Sequence, residues 1–380
     1  MNVLITGSRG FIGKNLVASL DNIRKGSDKA RRAFEDLNIL EYDIDTEPSL
    51  LDKYCAEADF VFNLAGVNRP EDPRDFMTGN LGFASLLLEA LKRQGNRCPV
   101  MMASSVQAEL NNPYGSSKRA CEELAREYSQ DTGAPVYIYR FPNVFGKWCR
   151  PNYNSAVATF CFNIAHGLPI RLDDPERLLT LVYIDDLVDE LLRALSGSPT
   201  KSGDFCAVPV FHTAKLGDIA ELIYSFKAAR EERTVPDLSD PFVTKLYSTY
   251  LSYVPENELS VPLTMHRDGR GSFTEIFRTP ERGQVSINIT EPGITKGNHW
   301  HHTKSEKFIV VSGRGLIRCR KVGSDRVIEY PVSSERLVSV DIPPGYVHSI
   351  TNTGSNELVT LMWASECFDE SRPDTYYEEV

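Results

Sequence analysis

Long apolar runs are missing from this 380-residue chain. No stretch approaches the roughly 20 residues that a bilayer-spanning helix needs. No charged leader precedes an apolar core at the N-terminus, so neither a membrane span nor a secretion signal is expected. Basic residues are in deficit: 42 Lys and Arg stand against 52 Asp and Glu, a net charge of −10. That is the wrong balance for a nucleic-acid surface or an anionic membrane. Cysteines are few and scattered, eight in all with no C-x-x-C pair. This argues against a disulfide framework and for the reduced thiols of a cytoplasmic protein. Internal repeats and low-complexity segments are also absent. What remains is ordinary globular composition, 41% hydrophobic and 25% charged, in a chain long enough for two domains.

Two regimes follow along the chain. Through residues 1–252, apolar runs at 3–6, 60–64, 100–103 and 136–139 alternate with stretches such as 81–93 and 117–128, whose apolar residues fall at helical spacing. This predicts a doubly wound, Rossmann-type α/β domain around a parallel sheet covered on both faces. Residues 253–262, YVPENELSVP, carry two prolines among polar residues and read as a linker. Residues 263–380 then offer strand-like runs at 285–289, 307–311, 315–319, 336–341 and 358–362, separated by Gly, Pro and Asp. That pattern predicts a small all-β barrel or sandwich.

Directly after the first strand comes Gly7-Ser8-Arg9-Gly10-Phe11-Ile12-Gly13, a G-x-x-G-x-x-G loop opening a helix. Glycines there let backbone amides approach a pyrophosphate, and the helix N-terminus favours its charge. Gly7, Arg9, Gly10, Phe11, Ile12 and Gly13 are therefore candidate cofactor contacts. Further on lies Tyr114-Gly-Ser-Ser-Lys118, with Tyr and Lys one helical turn apart on one face. A free tyrosine, with a pKa of about 10, donates its proton poorly. A nearby ammonium favours the phenolate and lowers that pKa, so the pair can serve as general acid to a carbonyl receiving hydride. Ser104 and Ser105 end the preceding strand, within reach of the same oxygen. Glu41 and Asp43 lie near the position where an acidic residue binds the ribose hydroxyls of NADH. Arg9 suits the 2′-phosphate of NADPH, the preferred reading, with NADH the alternative.

These residues resemble the extended short-chain dehydrogenase/reductases that act on nucleotide sugars. Asn63-Leu-Ala-Gly66, Asn80, Arg140-Phe-Pro-Asn143-Val-Phe-Gly146 and Leu181-Val-Tyr-Ile-Asp185-Asp186 extend the match. The resemblance implies Ser105, Tyr114 and Lys118 as catalytic residues, with Ser104 the alternative serine. It also implies Leu64, Ala65 and Gly66 beside the cofactor and Asn80 and Asn143 at the substrate. Arg140, Lys147 and Arg150 are candidates to meet a substrate diphosphate, or else solvated surface charges.

The stretch GNHWHHTKSEKF, residues 297–308, holds three of the chain's seven histidines within four residues. Alternate residues of a strand face one side, so His299 and His301 can point into a barrel while Trp300 and His302 face the other way. Glu306 can return from a turn or the next strand, and a Pro-Pro-Gly turn later delivers His348. Three imidazoles and a carboxylate make a metal site suited to Zn, Fe, Mn or Ni. The bland alternative is a chance cluster of solvated rings. The composite resembles the two motifs of the cupin superfamily, which implies a β-barrel with His299, His301, Glu306 and His348 as ligands. Asp268-Gly-Arg270-Gly-Ser-Phe273-Thr-Glu275 resembles the start of the nucleotide-sugar 3,5-epimerases, cupin-like barrels with a histidine base. Here the matching His299 reads as a ligand, which leaves Lys296 and His302 as neighbouring candidates for proton transfer.

End to end, the chain resembles the bifunctional CapF-like enzymes of bacterial capsule and O-antigen synthesis, through NVFGKWCRPNYN at 143–154, LYSTYLSY at 246–253 and GNHWHHTK. That resemblance implies zinc, NADPH, a homodimer and a UDP-2-acetamido-2,6-dideoxy-L-hexos-4-ulose substrate. The cupin would epimerise C3, and the first domain would reduce C4 to UDP-N-acetyl-6-deoxy-L-talosamine, a precursor of UDP-N-acetyl-L-fucosamine. A proton beside a ketone is acidic, and reduction removes that acidity and fixes the new configuration. Two alternatives are a keto-sugar reductase with a structural or dimerising zinc cupin, and a metal-dependent oxygenase cupin fused to a reductase.

Overall fold

The computed structural model describes residues 1–27, 36–279 and 281–380. The chain divides into two compact units, Met1–Tyr224 with Asp240–Pro255, and Ser225–Ser239 with Glu256–Val380. Segment 225–239, drawn from sequence inside 1–252, thus groups with the second unit. Of the expected linker, residues 253–255 close the first unit, where the Tyr253 hydroxyl donates to the carbonyl of Cys149 at 2.5 Å.

The first unit opens with β1 (Asn2–Thr6), α1 (Phe11–Arg24), β2 (Asn38–Tyr42), α2 (Leu50–Glu57), β3 (Phe60–Asn63), α3 (Phe83–Arg93), β4 (Val100–Ser105), α4 (Pro113–Thr132) and β5 (Val136–Phe141). It continues through β6 (Asn143–Phe145), α5 (Ala156–Ala165), β7 (Leu178–Tyr183), α6 (Ile184–Leu195), β8 (Lys201–Ser202), β9 (Phe205–Cys206) and β10 (His212–Lys215). Two helices follow, α7 (Leu216–Glu231), of which residues 225–231 group with the second unit, and α8 (Pro241–Leu251). The main sheet runs β2-β1-β3-β4-β5-β9-β8, with β6, β7 and β10 in a smaller one. From β2 to β9 every pairing is parallel. Val3, Leu4 and Ile5 are wholly buried, as are Val61 and Phe62. These strands show no polar alternation because helices cover both faces. Leu16, Leu20, Leu187 and Leu191 pack on one face, and Leu51, Leu87, Leu91 and Ala125 on the other.

Strand order reverses between β1 and β3, so the carboxyl ends of these strands bound the crevice where such sheets bind ligands. Gly7 turns there with φ +68, and a Cβ on it would lie 2.7 Å from the Ala65 nitrogen. A Cβ on Gly13 would lie 2.1 Å from the Gly7 carbonyl oxygen. Glycine is thus what allows α1 to start so close to the strand end.

The second unit is all β after its opening segment: β11 (His266–Asp268), β12 (Gly271–Thr279), β13 (Gly283–Thr290), β14 (Thr295–Trp300), β15 (Glu306–Ser312) and β16 (Arg314–Lys321), then β17 (Val327–Ser333), β18 (Ser339–Ile342), β19 (Tyr346–Asn352), β20 (Leu358–Ala364) and β21 (Tyr376–Tyr377). They form two antiparallel sheets, β11-β12-β13-β20-β15-β18 and β17-β16-β19-β14-β21. The run expected at 336–341 is a strand only from Ser339, because residues 336–338 are exposed. An apolar cluster of Phe308, Val310, Ile317, Val340, Ile350 and Leu358 fills part of the interior.

β13 departs from expectation in its facing. Its apolar Val285, Ile287 and Ile289 are only half-buried, whereas Gln284, Ser286, Asn288 and Thr290 are buried. Ser272 and Thr274 of β12 and Thr360 of β20 are buried with them, and Thr360 sits opposite Asn288 in the ladder. On this side the inner face is polar, the inverse of a half-exposed sheet.

Among the described residues no helix is long and apolar enough to cross a membrane. Gly13→Ala is expected to overpack the turn and destabilise the protein by about 1–3 kcal/mol. The check is a lower denaturant midpoint at unchanged m-value.

Candidate active sites

In the first unit Gly10 caps α1 with no side-chain hydrogen bond, which leaves first-turn amides for an anion. The Arg9 N–H donates to Asp43 Oδ2 at 2.8 Å, and its guanidinium pairs with exposed Asp45. Asp43 therefore braces the glycine loop at the end of β2. Glu41 instead lines a groove along α1 with Lys14 and Ile39. Past β3, a Cβ on Gly66 would come within 2.9 Å of Asn80 Oδ1 and 3.2 Å of Lys118 Nζ. The glycine lets both polar groups close on the backbone beside Leu64 and Ala65.

Asn112 caps α4, its Oδ1 accepting from the Gly115 N–H at 2.7 Å, with Pro113 in the first turn. This fixes the helix that carries Tyr114 and Lys118. Ser105 ends β4 and its Oγ accepts from the Gln107 N–H at 3.2 Å; its hydroxyl counts among the groups that act on the Tyr114 phenol. Lys118 is buried, with Nζ 5.8 Å from the Tyr114 ring centre and donating to the Ala103 carbonyl at 3.1 Å. Burial pushes the Tyr114 phenol above its ordinary range, partly offset by Ser105. Burial also pulls the Lys118 ammonium down. The expected lowering of the phenol pKa is not seen here, because desolvation is the largest influence on the phenol.

Ser104 turns to the other side of β4 and donates to Glu122. Glu122, 1% exposed, stands one turn beyond Lys118 and also accepts from Arg140 Nε at 2.9 Å and Nη2 at 2.7 Å. Arg140 Nη1 donates to Glu109 at 3.0 Å, and the guanidinium lies 3.9 Å from the Phe205 ring centre. Two expectations are corrected. Ser104 is not the serine beside Tyr114, and Arg140 is committed to carboxylates rather than left for a diphosphate. Glu122, which ties β4 and β5 to the catalytic helix, was missed, since a glutamate on a helix carries no sequence sign of burial.

Asn80 is buried in a π-helical turn, Met77–Gly82. Its Oδ1 accepts from the Val67 N–H at 2.8 Å, and its Nδ2 donates to Val67 O and Ser117 Oγ. It acts on the site through that backbone. Asn143 is exposed, with Nδ2 donating to Thr180 O at 3.4 Å. Lys147 pairs with Asp185 at 2.6 Å, and the Arg150 guanidinium lies 5.2 Å from the Tyr153 ring centre.

The second unit gathers its candidates at β14, β15 and β19. Gly297, φ +101, and Asn298, φ +57, form a bulge that shifts the register, so that Lys296 faces Ile350 and His299 faces His348. The extra residue puts Lys296 and His299 on the same inward face. A Cβ on Gly297 would lie 2.7 Å from the His348 carbonyl oxygen. His299, His301, Glu306 and His348 each bring one ligand atom to within 4.8 Å of one another, a group that could hold a metal ion. Glu306 Oε2 lies 3.4 Å from His301 Nε2 and 3.0 Å from His348 Nε2. All three atoms are buried without a hydrogen-bond partner. Buried polar atoms are normally satisfied, and a borderline divalent cation is what this donor set fits. Burial, with the neighbouring rings, pulls His299 down to about 4, which keeps it neutral as a ligand must be.

His302 faces away from the ligands, as the alternation suggested, with its ring 4.9 Å from Tyr376 and 4.5 Å from Trp300; this takes it out of reach as a proton-transfer candidate. Lys296 points inward, with Nζ donating to Asn288 Oδ1 and Ile289 O, both at 2.8 Å. Around it the hydroxyls of Ser286, Thr290 and Thr360 are buried and unpartnered. The alternation Q-V-S-I-N-I-T held that signal, which only the facing of the strand reveals.

Residues 3–204 match the NAD dependent epimerase/dehydratase family, and residues 266–376 the polysaccharide biosynthesis C-terminal domain. The chain belongs to the NAD dependent epimerase/dehydratase family, in a CapF-like branch that joins this domain to the second. It is 40% identical to the UDP-2-acetamido-2,6-beta-L-arabino-hexul-4-ose reductase of Pseudomonas aeruginosa, across 99% of this chain and 98% of that one. It is 49% identical to the capsular polysaccharide assembling protein CapF of Staphylococcus aureus, whose crystal structure superposes with a TM-score of 0.92 over 100% of both chains. The UDP-glucose 4-epimerase of Thermotoga maritima shares the fold at 20% identity, with a TM-score of 0.54 over 67% of this chain and 98% of that one.

Glu122→Gln is expected to cost about 3 kcal/mol, because it weakens a buried ion pair from one side. The check is the free energy of unfolding in denaturant.

Proposed function

We propose that this chain is a bifunctional UDP-sugar enzyme. Its second unit, a cupin, epimerises C3 of UDP-2-acetamido-2,6-dideoxy-L-hexos-4-ulose. Its first unit then reduces the C4 ketone, giving UDP-N-acetyl-6-deoxy-L-talosamine for capsule or O-antigen polysaccharide. The observation that carries this reading is the trio of buried, unpartnered ligand atoms of His301, Glu306 and His348. They occur in a chain whose other unit carries Tyr114 and Lys118 on one helix, with Lys118 Nζ 5.8 Å from the Tyr114 ring centre, and Ser105 at the end of the preceding strand. The substrate class is supported by the name of the Pseudomonas relative.

In the reductase site the bound nicotinamide supplies the hydride. Tyr114 is assigned to deliver the proton to the C4 oxygen, Ser105 to hydrogen-bond that oxygen, and the Lys118 ammonium to stabilise the phenolate that remains. NADPH is the preferred form. Arg9 is exposed at the glycine loop, and its ion pair with exposed Asp45 is of a kind worth about 0–1 kcal/mol, so a 2′-phosphate can displace it. Asp43 serves the cofactor by holding the loop. Lys147 and Arg150 are assigned to the substrate diphosphate.

In the cupin site His299, His301, Glu306 and His348 would hold zinc, which would supply positive charge to steady an oxyanion. Lys296 is assigned to proton transfer at C3, because it shares the ligands' face and its ammonium is pulled down by burial. Ser286, Asn288, Thr290 and Thr360 line the interior with groups that suit a sugar's hydroxyl and acetamido substituents. A cytoplasmic homodimer completes the proposal.

Two variants separate the halves. Tyr114→Phe is expected to lose reduction by at least about a hundredfold while still exchanging the C3 proton in D₂O, followed by NMR. Failure to exchange above the enzyme-free rate in zinc-replete protein would leave a reductase with a structural metal. Metal analysis is expected to give one zinc per chain. His348→Ala is expected to lose both zinc and C3 exchange while retaining nicotinamide binding by fluorescence titration.

A further inference from the structure

Residues 373–379 run as a strap along the ligand strand. β21 pairs with β14 at His299 and Trp300. The Glu378 N–H donates to the Asn298 carbonyl at 3.0 Å, which satisfies the bulge. Arg320 Nη2 donates to Glu378 Oε1 at 2.7 Å and to the Glu379 carbonyl at 2.6 Å. At the other end stands Asp374, with φ +38, a left-handed conformation that Asp adopts more readily than most non-glycine residues.

That conformation turns both polar groups of Asp374 onto the segment between two ligands. Its carboxylate accepts from the N–H groups of His302, Thr303 and Lys304 at 3.0, 3.0 and 3.2 Å, and from the Thr303 hydroxyl at 3.1 Å. Its carbonyl faces His301 Nδ1. A neutral imidazole carries its proton on either nitrogen. A proton on Nε2 would point at Glu306 Oε2, 3.4 Å away, and close off the atom that has to donate to a metal.

We propose that Asp374 is a positioning residue for the metal centre: its carbonyl locks His301 in the Nδ1–H tautomer, and its carboxylate sets the 302–304 turn between His301 and Glu306. This rests on the metal reading above. Such outer contacts orient ligands and typically change metal affinity by about 10–100-fold when lost.

The test uses full-length protein. Zinc affinity is measured by competition with a chromophoric chelator for wild type, Asp374→Ala and Asp374→Asn. Asp374→Ala is expected to weaken zinc about 10–100-fold. Asp374→Asn, whose amide oxygen can take the place of Oδ2, is expected to recover most of that loss. Equal affinity in wild type and Asp374→Ala overturns the proposal and leaves the metal reading standing. Absence of stoichiometric zinc in wild type overturns the metal reading and this proposal with it. Should Asp374→Ala fail to fold, the ¹⁵N shifts of His301 in chelator-treated wild type decide: Nδ1–H is expected, and Nε2–H overturns the assignment.

Discussion

Buried nitrogen and oxygen atoms are costly without a partner, and the second unit concentrates three of them at one point. His301 Nε2, Glu306 Oε2 and His348 Nε2 converge, buried and without a hydrogen-bond partner. Much of the surrounding geometry serves that convergence. The Gly297–Asn298 bulge resets the facing of β14, a Cβ is forbidden where β14 meets the His348 carbonyl, and Asp374 crosses over to brace the turn. Each feature bears a local cost, either an unpaired residue or a positive φ, and each is adjacent to the ligand set.

The first unit solves a different problem, the close approach of backbone to ligand. Gly7, Gly13 and Gly66 sit where a single carbon would collide with the backbone or with the side chains of Asn80 and Lys118. Behind them, Glu122 joins α4 to β4 and β5 through Ser104 and Arg140. Tyr114, Lys118 and Glu122 lie one helical turn apart on one face, so one buried carboxylate helps fix how that helix sits on β4, where Lys118 donates to the Ala103 carbonyl.

Much of this was legible in the chain. The glycine loop, Tyr114 with Lys118, and His299, His301 and Glu306 are short-range patterns, and spacing reports short-range geometry; His348, on a later strand, was legible through the resemblance of its Pro-Pro-Gly turn. The parallel sheet followed from apolar strands alternating with helices. Illegible features were those decided by tertiary facing. Arg140 looked available because nothing in its neighbourhood of sequence announces Glu122. His302 and Lys296 looked equivalent, yet a strand step and a bulge send them to opposite sides. The run at 285–289 was legible as a strand, but not its facing: its apolar residues are half-buried while the polar ones between them are buried. Asp374 lies some seventy residues from the turn that it holds, beyond any local pattern.

The polar inner face of β13 divides the labour within the second unit. Its cohesive contacts draw on β15, β16, β18, β19 and β20, where Phe308, Ile317, Val340, Ile350 and Leu358 pack. The β12–β13 side contributes hydroxyls and amides that gain little from leaving water. One wall therefore supplies stability, and the other is kept hospitable to a guest. Substitutions that fill the second wall with aliphatic side chains would make a firmer barrel and a poorer host, a trade that natural sequences settle in favour of the guest.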